Sequence, residues 1–134
     1  MLVRDFMTSV IVTADATTPV LEAAKLMAVE DVGSLIVTTG DVLVGLVTQK
    51  DIIAAQLLSE ELYHSLSLQD IMSSPVVTVS PEAELGQVIT LMHQTGKRHI
   101  PVIDDDTIIG IVTSTDILRV LATMKLIADG APKS

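Results

Sequence analysis

Gly45-Leu46-Val47-Thr48-Gln49-Lys50-Asp51-Ile52 and Gly110-Ile111-Val112-Thr113-Ser114-Thr115-Asp116-Ile117 carry one string, Gly-apolar-Val-Thr-x-x-Asp-Ile, at an offset of 65 residues. Held without a gap, that offset also matches Asp5 to Asp70, Met7 to Met72, Val12-Thr13 to Val77-Thr78 and Leu26-Met27 to Leu91-Met92. It continues with Val37 to Val102. Identities this regular are not an accident of composition. The chain is two copies of one unit, about 3–53 and 68–118, joined by a segment near 54–67.

Outward from the string, each copy reads the same way. A short leader (Val3 to Met7; Leu68 to Met72) precedes a β-rich run, Val10 to Thr13 or Val76 to Val79. A helix follows. In the first copy Thr18 is the expected N-cap and Pro19 the first helical residue, where a missing N–H costs little. Its apolar positions are Val20, Ala23, Ala24 and Met27; those of the second copy are Leu85, Val88, Ile89 and Met92. Both sets fall at i, i+3, i+4, i+7, one face of a helix. Two strands come next, Ser34 to Thr38 and Val42 to Val47, then His99 to Ile103 and Thr107 to Val112. Thr39-Gly40-Asp41 and Asp104-Asp105-Asp106 are the turns between them. A helix ends each copy, Asp51 to about Leu58 and Asp116 to about Ala128.

The unit is β-α-β-β-α and too small to bury a secure core alone. The fold class expected is α+β: two tandem repeats packed sheet to sheet with pseudo-two-fold symmetry and two related clefts. The strands Val42-Leu43-Val44 and Ile108-Ile109 are apolar enough to expect cover on both faces. The expected boundaries are 1–62 for the first repeat with its linker helix, 63–128 for the second, and 129–134 for a frayed tail.

Composition narrows the function. The chain has 134 residues, 17 acidic and 8 basic side chains, and a net charge of −9. A hydrophobic fraction of 49% excludes disorder. Charged residues interrupt every apolar run before the ~18 residues a span needs, and Arg4 and Asp5 stand where a signal peptide would be apolar. Cysteine is absent, which excludes disulfides, thiolate metal sites and cysteine nucleophiles; a cytoplasmic location is expected. Phe6 and Tyr63 are the only aromatics, so base-stacking platforms are missing, and an isoelectric point near 4.5 repels long polyanions.

Thr-x-x-Asp before an apolar helical run is a capping box, with Thr48 or Thr113 as N-cap. Gly45 and Gly110 add to it, because a mid-strand glycine marks a bulge or a close backbone approach. A hydroxyl and a carboxylate beside such a glycine, at a helix N-terminus, suit a ribose: two vicinal hydroxyls can both donate to one carboxylate. Capping and binding do not exclude each other. The second feature is Gly96-Lys97-Arg98-His99-Ile100-Pro101-Val102. It reads either as a solvated loop at a strand start or as a phosphate site, since Arg pairs bidentately with phosphate and His adds a donor. Pro101 belongs early in a strand or on an edge. The matching positions in the first copy, Gly33 and Ser34, carry no charge, so the two clefts are not equivalent.

The doubled unit, the paired Gly-apolar-Val-Thr-x-x-Asp strings and Arg98-His99-Ile100-Pro101-Val102 resemble a stand-alone tandem pair of CBS (cystathionine-β-synthase) domains over about 3–125. The resemblance implies a regulatory module that binds an adenosine-containing ligand (AMP, ADP, ATP or S-adenosylmethionine) between its halves, with no obligatory cofactor. It implies that Asp51 and Asp116 hold ribose, that Thr48, Thr113 and Thr115 lie near ribose and phosphate, and that Arg98 and His99 contact phosphate. Lys50 replaces the Thr115 position in the first copy. Adenine is expected against Ile11, Val12, Val76 and Val77. The Asp116 cleft has the fuller hydroxyl set and is expected to be the better ribose site. The resemblance also implies a homodimer, with Leu118, Leu121 and Met124 as interface or core, and an unidentified protein target. Neither nucleic acid nor membrane is expected as a partner. The alternative is a dimerisation scaffold with degenerate clefts. No activated nucleophile or matched acid–base pair is legible, so an enzyme is not expected, and His64, His93 and His99 are too scattered for a metal site. Tyr63 reads as a packing residue with its hydroxyl at the surface.

Overall fold

The computed structural model describes residues 1–130; of the tail expected at 129–134, the part from residue 131 lies outside the described residues. The elements are α1 (Val3–Phe6), β1 (Thr13–Asp15), α2 (Val20–Glu30), β2 (Ser34–Thr39), β3 (Val42–Thr48), α3 (Gln49–Gln56), α4 (Glu60–Ser65), α5 (Leu68–Ile71), α6 (Leu85–Thr95), β4 (His99–Asp104), β5 (Thr107–Thr113) and α7 (Ser114–Ala128). The class is α+β with two sheets, as the repeat implies.

One compact unit is Ile11–Val76; the other joins Met1–Val10 to the chain from Val77 onward. Repeat in sequence and unit in space are thus offset by a leader. In the first unit, Ser73, just after α5, forms an antiparallel bridge to Leu46 of β3. In the second, Thr8, just after α1, forms the same bridge to Ile111 of β5. Each leader therefore completes the sheet of the copy it does not precede in sequence.

The glycines of the motif follow from this exchange. A side chain on Gly45 would run into Met72, and one on Gly110 would meet Met7 Sδ and the Thr8 carbonyl oxygen, each at 2.8 Å. The close approach inferred from mid-strand glycine is thus the leader methionine crossing the strand. A register shift also lies opposite each glycine, at Val37/Thr38 and Val102/Ile103.

The first unit's sheet is β1-β2-β3, with β1 parallel to β2 and β2 antiparallel to β3. The second has β4 antiparallel to β5, and only a single parallel bridge, Val79 to Val102, where β1 has its counterpart. Two prolines account for the difference. In the first copy Ile36 N–H bonds Val12 O (3.0 Å) and Ala16 N–H bonds Thr38 O (2.9 Å), closing the ladder at both ends. The corresponding residues are Pro101 and Pro81, which have no N–H to donate. The expected strands at Val10–Thr13 and Val76–Val79 are corrected accordingly, to Thr13–Asp15 and to one bridge at Val79.

Two further expectations change. Helix α2 begins at Val20, with Pro19 as N-cap and no side-chain cap. The Val20 N–H is taken by Leu66 O (2.9 Å), and the Thr18 carbonyl accepts from Leu68 N–H, so backbone from the linker replaces the threonine cap. Strands β3 and β5 share one burial pattern: Gly45–Val47 and Gly110–Val112 are buried, while Val42 is exposed and Leu43, Val44, Ile108 and Ile109 are half-buried. Cover on both faces holds for the second half of each strand only. The first unit's core includes Val20, Leu35, Val37, Val47 and Leu68; the second's includes Val3, Val88, Val102, Val112 and Ile117.

Candidate functional site

Each motif sits where a buried strand half runs into a helix: β3 into α3 at Thr48, β5 into α7 at Thr113. Both threonines have extended backbone and open a capping box, so the acid three residues on is aimed back at the strand end. Thr48 N–H bonds Asp51 Oδ2 at 2.9 Å and Thr48 Oγ1 bonds the same oxygen at 3.2 Å. Thr113 repeats both contacts on Asp116 Oδ2, at 2.9 and 3.2 Å. Its hydroxyl also accepts from Asp116 N–H at 3.2 Å.

The second oxygens differ. Asp51 is half-buried, and its Oδ1 takes no hydrogen bond among the described residues. Asp116 is 2% exposed, and its Oδ1 accepts from Thr8 Oγ1 at 3.0 Å and Arg119 Nη1 at 3.1 Å. Sequence reading did not single out Thr8 or Arg119. Arg119 was findable, since residues i and i+3 of a helix are neighbours. Thr8 arrives from a leader 108 residues away, and no local pattern announces it.

The backbone places Arg98 and His99 at the Asp116 junction. His99 is the register partner of Thr113, and Ser114 N–H bonds Arg98 O at 3.0 Å. Ser34 and Gly33 hold the same positions beside Thr48 and Gln49, without charge. His99 is half-buried, and its Nδ1 is buried with no hydrogen-bond partner among the described residues. Burial first, and then the Arg98 charge, hold its pKa below the ordinary histidine value, against an opposing pull from Asp116. Arg98 and Thr115 are exposed, and Pro101 is buried in β4.

Of the residues expected to line an adenine, Ile11, Val12 and Val76 fall in the unit that holds Asp51, and Val77 in the unit that holds Asp116; all four are half-buried. Tyr63 is corrected: its hydroxyl is buried rather than at the surface, with no hydrogen-bond partner among the described residues. On α7, Ile117 and Val120 face inward, while Leu118, Leu121 and Met124 are exposed. A cavity of about 490 Å³ runs along α6, lined by Val79, Ala83, Gln87, Thr90 and Leu91 among others. It includes none of the motif residues. No helix among the described residues is long and apolar enough to cross a membrane.

What this arrangement can do chemically is bind. Each junction holds a capped carboxylate, a threonine hydroxyl and a helix N-terminus, with the carboxylate pinned by one oxygen at Asp51 and by both at Asp116. The family model described as CBS domain matches residues 3–58 and 68–123. An uncharacterized protein of Methanopyrus kandleri is 34% identical over 112 residues, 82% of this chain; the chain spans 57% of that protein. The CBS domain pair of protein MJ0100, solved in complex with 5-methylthioadenosine and S-adenosyl-L-methionine, superposes with a TM-score of 0.83 at 28% identity, covering 92% of this chain and 98% of that one. CBSX2 in complex with AMP does so with a TM-score of 0.78 at 27% identity, again covering 92% and 98%.

Proposed function

The chain belongs to the CBS domain family, and from that premise we propose that it is a regulatory module that binds an adenosine-containing ligand at its two strand–helix junctions. Asp51 and Asp116 accept the ribose hydroxyls. Thr48, Thr113 and Thr115 lie along ribose and phosphate, and Arg98 and His99 take the phosphate of the second junction. Ile11, Val12, Val76 and Val77 offer aliphatic walls to adenine. The observation that carries the reading is Asp51, a carboxylate fixed through Oδ2 by Thr48 while Oδ1 is unclaimed among the described residues. Relatives of the same fold hold AMP, S-adenosyl-L-methionine and 5-methylthioadenosine. The candidate ligands are AMP, ADP, ATP and S-adenosylmethionine, acting in the cytoplasm.

The module works by linkage. A ligand that prefers one conformation of the module raises its population, and a protein target reads that conformation. The exposed Leu118, Leu121 and Met124 face supports a homodimer as the working unit, and sedimentation as a monomer at micromolar concentration would remove that part of the reading. A thermal-shift screen with the four ligands tests the function. A ligand at ~100 times its dissociation constant adds about 2.7 kcal/mol, a rise of several degrees for a chain of this size. No rise with any of the four refutes the proposal.

One observation favours a second reading for half the molecule. Asp116 has both oxygens occupied by its own chain, as a purely structural cap would. A scaffold whose second junction is degenerate predicts ligand effects on the first junction alone.

A further inference from the structure

We infer that Arg119 is a resident counter-ion which a ligand at the second junction must displace, and that it makes this junction select an anionic adenosine ligand over a neutral one. The inference rests on the nucleotide-binding reading above. A ribose diol needs acceptor capacity on Asp116, and a carboxylate oxygen offers about two lone-pair sites. Those of Oδ2 go to the Thr113 amide and hydroxyl, and those of Oδ1 to Thr8 and Arg119. Something must leave.

The three residues are not equally free to go. Thr113 is the cap of α7. Thr8 is half-buried and its backbone is fixed by two hydrogen bonds to Ile111, at 2.8 and 2.9 Å, so its hydroxyl can leave Asp116 only by turning in a part-buried site where it loses its acceptor. Arg119 is 67% exposed, and Asp116 is its one ion-pair partner among the described residues. An ion pair with one end in water is weak, and a long side chain leaves it at little cost. Arg119 is therefore the group that gives way.

What becomes of it depends on the ligand. A neutral nucleoside fills the one acceptor site that the guanidinium frees with a ribose hydroxyl and leaves Asp116, a buried carboxylate, without its cation. A phosphorylated nucleoside brings an anion that the released guanidinium can pair with bidentately, beside exposed Arg98. The charge lost at Asp116 is recovered at the phosphate. The first junction has no such device. Its residue at the Arg119 position is Ala54, and Ser73, at the Thr8 position, makes no hydrogen bond to Asp51 among the described residues.

The test is a pair of titrations of the full ¹⁵N-labelled chain, one with adenosine and one with AMP. The Thr113 and Asp116 amides report the second junction, and the Thr48 and Asp51 amides report the first. In the unmodified chain, AMP is expected to saturate the second junction at lower concentration than adenosine. In Arg119→Ala, adenosine should bind there about threefold tighter and AMP about threefold weaker. Arg119→Gln should follow the same direction, and constants at the first junction should not move. An unchanged adenosine-to-AMP ratio at Thr113 and Asp116, with binding retained, overturns the inference alone. So does binding confined to Thr48 and Asp51 in all three proteins. If neither ligand moves the amides of either junction, the nucleotide reading fails and takes the inference with it.

Discussion

Asp51 and Asp116 occupy the same place in the same string, yet one holds an oxygen open and the other is sealed by its own chain. The motif alone does not decide this. It fixes a capping box, and with it the aim of one carboxylate oxygen, in both copies. What surrounds the other oxygen comes from residues outside the motif: a threonine from a distant leader and an arginine one helical turn on. A third acid makes the point from the opposite side. Asp70, itself exposed, accepts from the Ser67 amide and hydroxyl at 2.8 and 3.1 Å, the same Oδ2 geometry, on a four-residue helix with no mid-strand glycine before it. A capped carboxylate is common. A capped carboxylate with a spare oxygen beside a buried strand end is the rarer thing, and Asp51 has it.

The largest expected break in the symmetry is in stability. Asp116→Ala strips four hydrogen bonds from a buried site and leaves the Thr113 amide and Thr8 hydroxyl without their acceptor, so it should cost about 3 kcal/mol in urea unfolding. Asp51→Ala removes one end of a half-buried cap and should cost about 1 kcal/mol. Equal losses would mean that the extra partners of Asp116 contribute nothing.

Next in size is the pair of glycines. Gly110→Ala pushes a methyl group against the Thr8 carbonyl, which cannot retreat without breaking the bridge to Ile111, and should cost about 2 kcal/mol. The atoms nearest a methyl at Gly45 belong to the flexible side chain of Met72, so Gly45→Ala should cost less. The reverse order in thermal unfolding would contradict the leader packing described above.

The smallest effect is the pH dependence that only the second copy can show, because Ser34 stands where His99 does. The folded chain holds His99 below the ordinary value of 6.5, so the unfolded chain takes up its proton first as the pH falls. This contribution is fully present above about 6.5 and is lost as the pH drops through the lower folded value. The His99 ring resonances should therefore titrate below 6.5, and Arg98→Ala should raise the midpoint by removing the second-largest cause of the shift. A midpoint at or above 6.5 in the unmodified chain contradicts it.

Much of this architecture is legible in the residues themselves. The offset repeat carries the strand pairs, the turns and both capping boxes, because those depend on neighbours a few positions apart. Pro81 and Pro101 even mark, in advance, the two hydrogen bonds that the second copy lacks. The exchange of leaders is not legible. Leu68 to Met72 read equally well as the start of the second copy, and nothing local tells which sheet Ser73 joins. The same limit hid Thr8, whose hydroxyl occupies Asp116 Oδ1. Contacts 108 residues apart are set by packing, not by pattern.

Calorimetric titration of AMP into the unmodified chain, Asp51→Asn, Asp116→Asn and the double variant tests the claim that these two acids grip a ribose. Saturable binding to the unmodified chain, weakened in at least one single variant and reduced more than about tenfold in a folded double variant, is the result the account predicts. A double variant that binds AMP as tightly as the unmodified chain would contradict it.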